Sequence, residues 1–252
     1  MIKKVVIAAA GKGTRMLHLS KDKPKHLIEV NGRPFLSYLL DNLFWAGYKD
    51  IILVGGYMKE QMIDFKEKYI PPEQGKIKIE FFDQFEGLNP QESMGTACPL
   101  MRVKDSIKEQ FLYICGDNFF SVEDLKLMNV DDDFNYVAGL IQENPKNYGV
   151  LVTSGEYLEK IIEKPKEFVG NMVNAGLYKF TMEIFDKISE IKKSTRGEYE
   201  ITDAVSLLAK ERYPSGHTKV KVKKITSWLD FGSPEDVKRI SLFLKNEGHK
   251  SK

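Results

Sequence analysis

The chain has 252 residues, 42% of them hydrophobic and 29% charged, which is the composition of a folded globular protein. Lys and Arg number 38 against 36 Asp and Glu, so the formal net charge is only +2. That balance excludes the basic footprint of a nucleic-acid or anionic-membrane binder and leaves individual basic residues to act locally. Four histidines and two cysteines, Cys98 and Cys115, are too few and too scattered for a structural zinc site or a disulfide framework. A reducing cytoplasm is the expected setting.

Lys3-Lys4 and the apolar run from Val5 to Ala10 imitate the start of a signal peptide, but the run stops at Gly11, short of an h-region. It reads as a buried strand. No apolar stretch reaches the roughly eighteen residues of a membrane span. Residues 34–45 carry apolar side chains at helical spacing, with Pro34 suited to a first turn. Residues 51–54 are β-branched and apolar and run into Gly55-Gly56, 58–69 read as a helix, and 77–82 and 111–115 read as strands. This alternation predicts an α/β fold whose mostly parallel central sheet is covered on both faces. Right-handed crossovers then align the strand C-termini along one edge, where ligands of open α/β sheets bind.

Beyond Cys115 the rhythm changes. Residues 136–141, 150–153, 157–162 and 172–180 are strand-like with short connections, which predicts antiparallel strands added to the first half. Helices near 200–211 and 234–246 flank a strand at 219–225. The sequence has no internal repeat, low-complexity tract or linker. The expected organisation is one domain over 1–246 and a polar tail at 247–252, with any homo-oligomer forming through the core itself. The cluster Asp131-Asp132-Asp133 lacks spaced calcium ligands and reads as a solvated turn.

The first strand leads into Ala9-Ala10-Gly11-Lys12-Gly13-Thr14-Arg15. Met16 stands where a dinucleotide fingerprint needs its third glycine, and the Walker spacing is also absent. Free amides followed by Arg15, Lys23 and Lys25 would suit a triphosphate. A tight turn with solvated lysines accounts for the same residues.

The segment from Ala9 to Arg15, followed by Lys23-Pro24-Lys25 and Leu27 to Pro34, resembles the signature of sugar-1-phosphate nucleotidylyltransferases. Further motifs follow in that family's order: Glu92-Ser93-Met94-Gly95-Thr96-Ala97, Gly116-Asp117-Asn118, Tyr148-Gly149-Val150, Glu163-Lys164-Pro165, Asn174-Ala175-Gly176, Arg196 through Asp203, and Trp228-Leu229-Asp230-Phe231-Gly232. The resemblance implies a Rossmann-like three-layer nucleotidyltransferase fold. It also implies a reaction of a nucleoside triphosphate with a sugar 1-phosphate that yields a nucleotide sugar and pyrophosphate.

By the same resemblance Arg15, Lys25 and Asp117 are the catalytic residues, and Asp117 and Asp230 hold Mg²⁺. Ala9, Gly11, Gly13, Thr14, Glu92, Gly95 and Thr96 bind the nucleotide. Asn118, Gly149, Glu163, Lys164, Asn174 and Glu198 bind the sugar phosphate. Taken singly, Asp117 reads equally as a turn aspartate, and Lys164 as an exposed lysine before proline. His18, His26 and Phe231 depart from the family pattern, which bears on substrate identity more than on reaction class. The favoured substrates are dTTP or UTP with glucose 1-phosphate. The alternatives are guanylyl or cytidylyl transfer to another sugar phosphate or phosphocholine, or a catalytically silent regulatory subunit of the same fold.

Overall fold

The computed structural model describes residues 1–90 and 92–246; the tail expected at 247–252 lies outside the described residues. In chain order the first half contains β1 (Lys4–Ala8), β2 (Glu29–Val30), β3 (Arg33–Pro34), α1 (Phe35–Trp45), β4 (Asp50–Gly55), α2 (Lys59–Lys68), β5 (Lys78–Asp83), α3 (Cys98–Val103) and β6 (Phe111–Cys115). The second half contains β7 (Asn118–Phe120), α4 (Val122–Leu127), β8 (Asn135–Ile141), β9 (Gly149–Ser154), β10 (Tyr157–Glu163) and β11 (Met172–Phe180). It ends with α5 (Ile184–Glu190), α6 (Ile201–Leu208), β12 (Val220–Lys224), β13 (Trp228–Asp230) and α7 (Pro234–Asn246).

Nine strands form one sheet in the order β5-β4-β1-β6-β11-β8-β12-β10-β9. Strands β5, β4, β1 and β6 are mutually parallel, as the alternation of strands and helices predicts. From β11 onward antiparallel pairing dominates, with β12 running parallel to β8.

The continuous apolar runs of the parallel strands follow from burial on both faces. Val5, Ile7, Ile51, Leu53, Leu112 and Ile114 point to one side and pack with Leu36, Leu39, Leu43, Met62 and Leu125 of α1, α2 and α4. Val6, Ile52, Val54 and Tyr113 point to the other and pack with Leu100, Ile184, Phe185, Val205 and Leu208 of α3, α5 and α6. A third cluster joins the segment after the glycine loop to α7, where Phe35 and Phe231 stack at 4.0 Å between centroids. Phe231 is therefore a core residue, and its aromatic ring answers Phe35.

The aspartate cluster is exposed at Asp131 and Asp133, as expected, and it also carries structural contacts. Lys179 is fully buried and donates to the carbonyls of Asp132 at 2.5 Å and Phe134 at 2.6 Å, and to Asp132 Oδ1 at 3.3 Å. The N-terminal ammonium pairs with Asp131. This turn ties a buried cation and the chain start to β8. It is not merely solvated.

Candidate active site

Ala8 pairs with both Val54 and Cys115, so β1, β4 and β6 end side by side at one edge of the sheet. A cleft of about 860 Å³ opens there, and its other wall is β11. Gly116 donates its N–H to the Ala8 carbonyl at 2.8 Å, and a Cβ at Gly116 would lie 2.8 Å from that oxygen and 2.9 Å from Ile7. Only glycine lets the chain turn so closely and deliver Asp117 into the cleft.

Lys25, on a short 3-10 turn, donates to Asp117 Oδ2 and forms an ion pair with it. Burial pushes the Asp117 carboxyl up, but the charge and hydrogen bond of Lys25 outweigh it and hold the group below its ordinary value. His26 beside it is buried, and desolvation together with the Lys25 charge lowers its imidazole pKa to about 3. It is neutral at neutral pH and lines the cleft without serving as a cation.

Strand β13 pairs with β7 so that Asp230 faces Asn118, and Phe231 donates its N–H to the Asp117 carbonyl at 2.8 Å. The Asp230 carboxyl is pushed up to about 6 by burial and by repulsion from Asp117. A Cβ at Gly232 would stand 3.2 Å from both Arg15 Nη2 and Asp230 Oδ2, so this glycine leaves room for the guanidinium over the turn. Arg15, Lys25, Asp117 and Asp230 thus meet at one end of the cleft. Among the described residues no three His, Cys, Asp or Glu side chains gather as a ligand set. Two repelling carboxylates fit a hard cation, which takes one or two carboxylates and completes its shell with phosphate oxygens and water.

A family model for nucleotidyl transferases matches residues 4–247. The chain belongs to the nucleotidyl transferase family. It is 38% identical over 240 residues to the UTP–glucose-1-phosphate uridylyltransferase AglF of Haloferax volcanii, which covers 92% of each chain. It is 32% identical over 242 residues to the bifunctional protein GlmU of Methanocaldococcus jannaschii, where 95% of this chain matches and spans 53% of the relative. Among solved structures, a UDP-glucose pyrophosphorylase complexed with UDP-glucose superposes with a TM-score of 0.81 at 25% identity, covering 98% of this chain and 100% of that one.

The remaining walls of the cleft bring together motifs far apart in sequence. Strand β11 slips register against β8 between Asn174 and Tyr178. In that irregular stretch Asn174 donates to the Tyr178 hydroxyl at 2.6 Å and accepts from the Gly176 N–H at 3.1 Å. Gly176 has φ 73, and a Cβ there would stand 2.7 Å from Asn118 Nδ2. At the end of β10, Glu163 pairs with Gly149, and a Cβ at Gly149 would lie 2.9 Å from Glu163 Oε2. Burial raises the Glu163 carboxyl, against the opposing pull of Arg196 and Lys164. Lys164 sits at φ 45 and donates its N–H to the Tyr148 carbonyl at 3.0 Å.

Gly95 has φ 123, and a Cβ on it would collide with the Tyr199 backbone. This close approach allows Tyr199 to donate to the Met94 carbonyl at 2.9 Å and Ala97 to the Tyr199 carbonyl at 2.9 Å. Thr96 Oγ1 accepts from the Ile201 N–H at 2.9 Å and lies 3.3 Å from Glu200 Oε2, which also belongs to the seam.

Gly11, Gly95, Thr96, Asn118, Gly149, Glu163, Lys164, Asn174 and Glu198 all line the cleft with the four charged residues above. Four expected nucleotide ligands do not. Ala9 is in the core and donates its N–H to the Val54 carbonyl at 2.7 Å. Gly13, at φ 64, packs under Lys25, whose Cβ would be 2.7 Å from a Cβ there. Thr14 begins the 3-10 segment that carries Arg15 but does not itself line the cleft, and Glu92 lines a separate depression with Lys104 and Tyr199.

Conversely, Gln84, Tyr148, Arg196, Glu200 and Trp228 line the cleft without having been singled out as ligands. Gln84 follows the C-terminal end of β5, and that position on a parallel strand is the signal that would have found it. Among the described residues no helix is long and apolar enough to cross a membrane.

Proposed function

We propose that this cleft transfers a uridylyl group from UTP to glucose 1-phosphate, releasing pyrophosphate and forming UDP-glucose, with dTTP as the second nucleotide to test. The observation that carries this reading is the meeting of Lys25 with Asp117 beside Arg15 and Asp230 at the strand ends. The likeness to a uridylyltransferase over nearly the whole chain supports the choice of UTP. Residues 1–246 would act as one catalytic unit, in the cytoplasm.

An oxygen of the sugar phosphate attacks the α-phosphorus of the nucleotide, and the bond from that phosphorus to the bridging oxygen breaks as pyrophosphate departs. A phosphate monoester has a second pKa of about 6, so the attacking oxygen is already ionised and needs no general base. Neutral, buried His26 agrees with that demand. What the chain must supply is alignment and charge.

Lys25 brings an ammonium to the attacked phosphate, and the planar fork of Arg15 takes the departing pyrophosphate. Asp117 and Asp230 would hold a divalent cation, Mg²⁺, which when bound supplies neutralisation of the phosphate charge. The Gly11 amide and the Gly95–Thr96 loop receive the nucleotide. Lys164 holds the sugar phosphate, while Asn118, Gly149, Glu163, Asn174 and Glu198 surround the sugar. Ala9, Gly13, Thr14 and Glu92 contribute through the scaffold.

A pyrophosphate-release panel crossing five nucleoside triphosphates with several sugar 1-phosphates and phosphocholine, with Mg²⁺, tests the assignment. The highest kcat/KM is expected for UTP with glucose 1-phosphate. Release with another pair alone would replace the substrates, and none with any pair would favour a regulatory subunit.

A further inference from the structure

Asp117 precedes β7 and Asp230 ends β13, so the relation between the two carboxylates is set by a two-stranded sheet of three residues per strand. Such a small pair is not self-sufficient. Its far end is held by a buried carboxylate that the catalytic scheme does not use. Asp124 lies in the first turn of α4, which begins directly after β7, and it is 2% exposed.

Asp124 Oδ1 accepts from the Thr226 N–H at 3.0 Å and the Thr226 hydroxyl at 3.2 Å. Its Oδ2 accepts from the Ser227 N–H at 2.8 Å and the Ser121 hydroxyl at 2.9 Å, while Ser121 Oγ caps the Asp124 N–H at 3.1 Å. Residues 226–227 are where the chain leaves β12 for β13. One carboxylate therefore clamps the exit of β7 to the entry of β13, about 10 Å along the strands from the acidic pair.

We propose that Asp124 is a positioning residue for the Asp117–Asp230 pair. The inference rests on the reading of those two residues as cation ligands. Asp124→Asn is the discriminating change. Each carboxylate oxygen accepts from a different backbone N–H, so either orientation of the amide turns its NH₂ toward one of them.

Mn²⁺ alone is titrated onto wild type, Asp124→Asn and Tyr48→Phe, with the free ion read by electron paramagnetic resonance. Tyr48→Phe is the control, because its hydroxyl donates to the Leu125 carbonyl of the same helix at 3.1 Å without touching the crossing. Asp124→Asn should bind Mn²⁺ at least about fivefold more weakly and need correspondingly more Mg²⁺ for half-maximal rate. Its kcat at saturating Mg²⁺ should change little, and Tyr48→Phe should match wild type.

Mn²⁺ affinity unchanged in Asp124→Asn, alongside normal binding in wild type, would overturn the clamp and leave the cation reading intact. No Mn²⁺ binding by wild type would overturn the cation reading and the clamp with it. Should Asp124→Asn fail to fold, Thr226→Val removes one donor to the same carboxylate and carries the test. A weakening of about twofold is then expected, and unchanged affinity overturns the proposal.

Discussion

Lys25 closes an ion pair onto Asp117 across 92 positions of sequence, joining the turn after the glycine loop to the end of β6. The lysine is the partner that holds this partly buried carboxylate ionised. Lys25→Met should therefore lower kcat by about 10³ through loss of the phosphate-facing charge. It should also destabilise the fold by about 1 kcal/mol, because the partly buried Asp117 loses its partner while the cleft still gives its carboxylate water. Steady-state kinetics and urea unfolding check the two effects separately; a variant that loses stability but keeps kcat would confine Lys25 to the scaffold.

Asp230 behaves in the opposite sense. Its carboxyl titrates at about 6 in the fold, above the ordinary value, so folding favours the protonated form and stability is lost as pH rises through that value. At pH 7.5 without divalent ions, Asp230→Asn should be more stable than wild type by about 2 kcal/mol, or about 6 °C in Tm. The same variant should show no Mg²⁺-dependent pyrophosphate release. Scanning calorimetry in chelator measures the first effect, and a drop in Tm would contradict the repulsion described here.

His26 sets an acid limit. The unfolded imidazole titrates near 6.5 and the folded one at about 3, so the unfolded chain binds more protons between those values and stability falls as pH is lowered. Wild type should lose about 2 kcal/mol between pH 7 and pH 5 that His26→Leu does not lose. Urea midpoints for both proteins at the two pH values give the difference directly. Parallel profiles would mean that His26 is not held neutral.

At Gly95 the backbone adopts φ 123 and leaves no space for a Cβ against Tyr199. Gly95→Ala should displace the loop from that seam. The Michaelis constant for the nucleotide should then rise about tenfold, with a smaller change in kcat at saturation. An unchanged KM would remove this loop from nucleotide binding.

The parallel half of the sheet is legible because strands buried on both faces leave unbroken apolar runs, as in Val5-Val6-Ile7 and Ile51 to Val54. Glycines at strand ends mark the cleft edge for the same steric reason that fixes Gly116. Elements such as β7 and β13 are too short for periodicity to register, and α3 opens on Cys98-Pro99 with only six residues. Glu200 is hidden differently. It becomes a cleft residue because segment 94–97 folds over against 199–201.

That seam has a consequence for redesign. The loop from Met94 to Ala97 and the strip from Tyr199 to Ile201 share their backbone hydrogen bonds, and both contribute residues to the cleft lining. A library that randomises one segment will shift the other through those bonds. On the proposed reading, selectivity for the two substrates would be inherited as a linked trait, and recoding it would call for both segments to be exchanged together from a single donor.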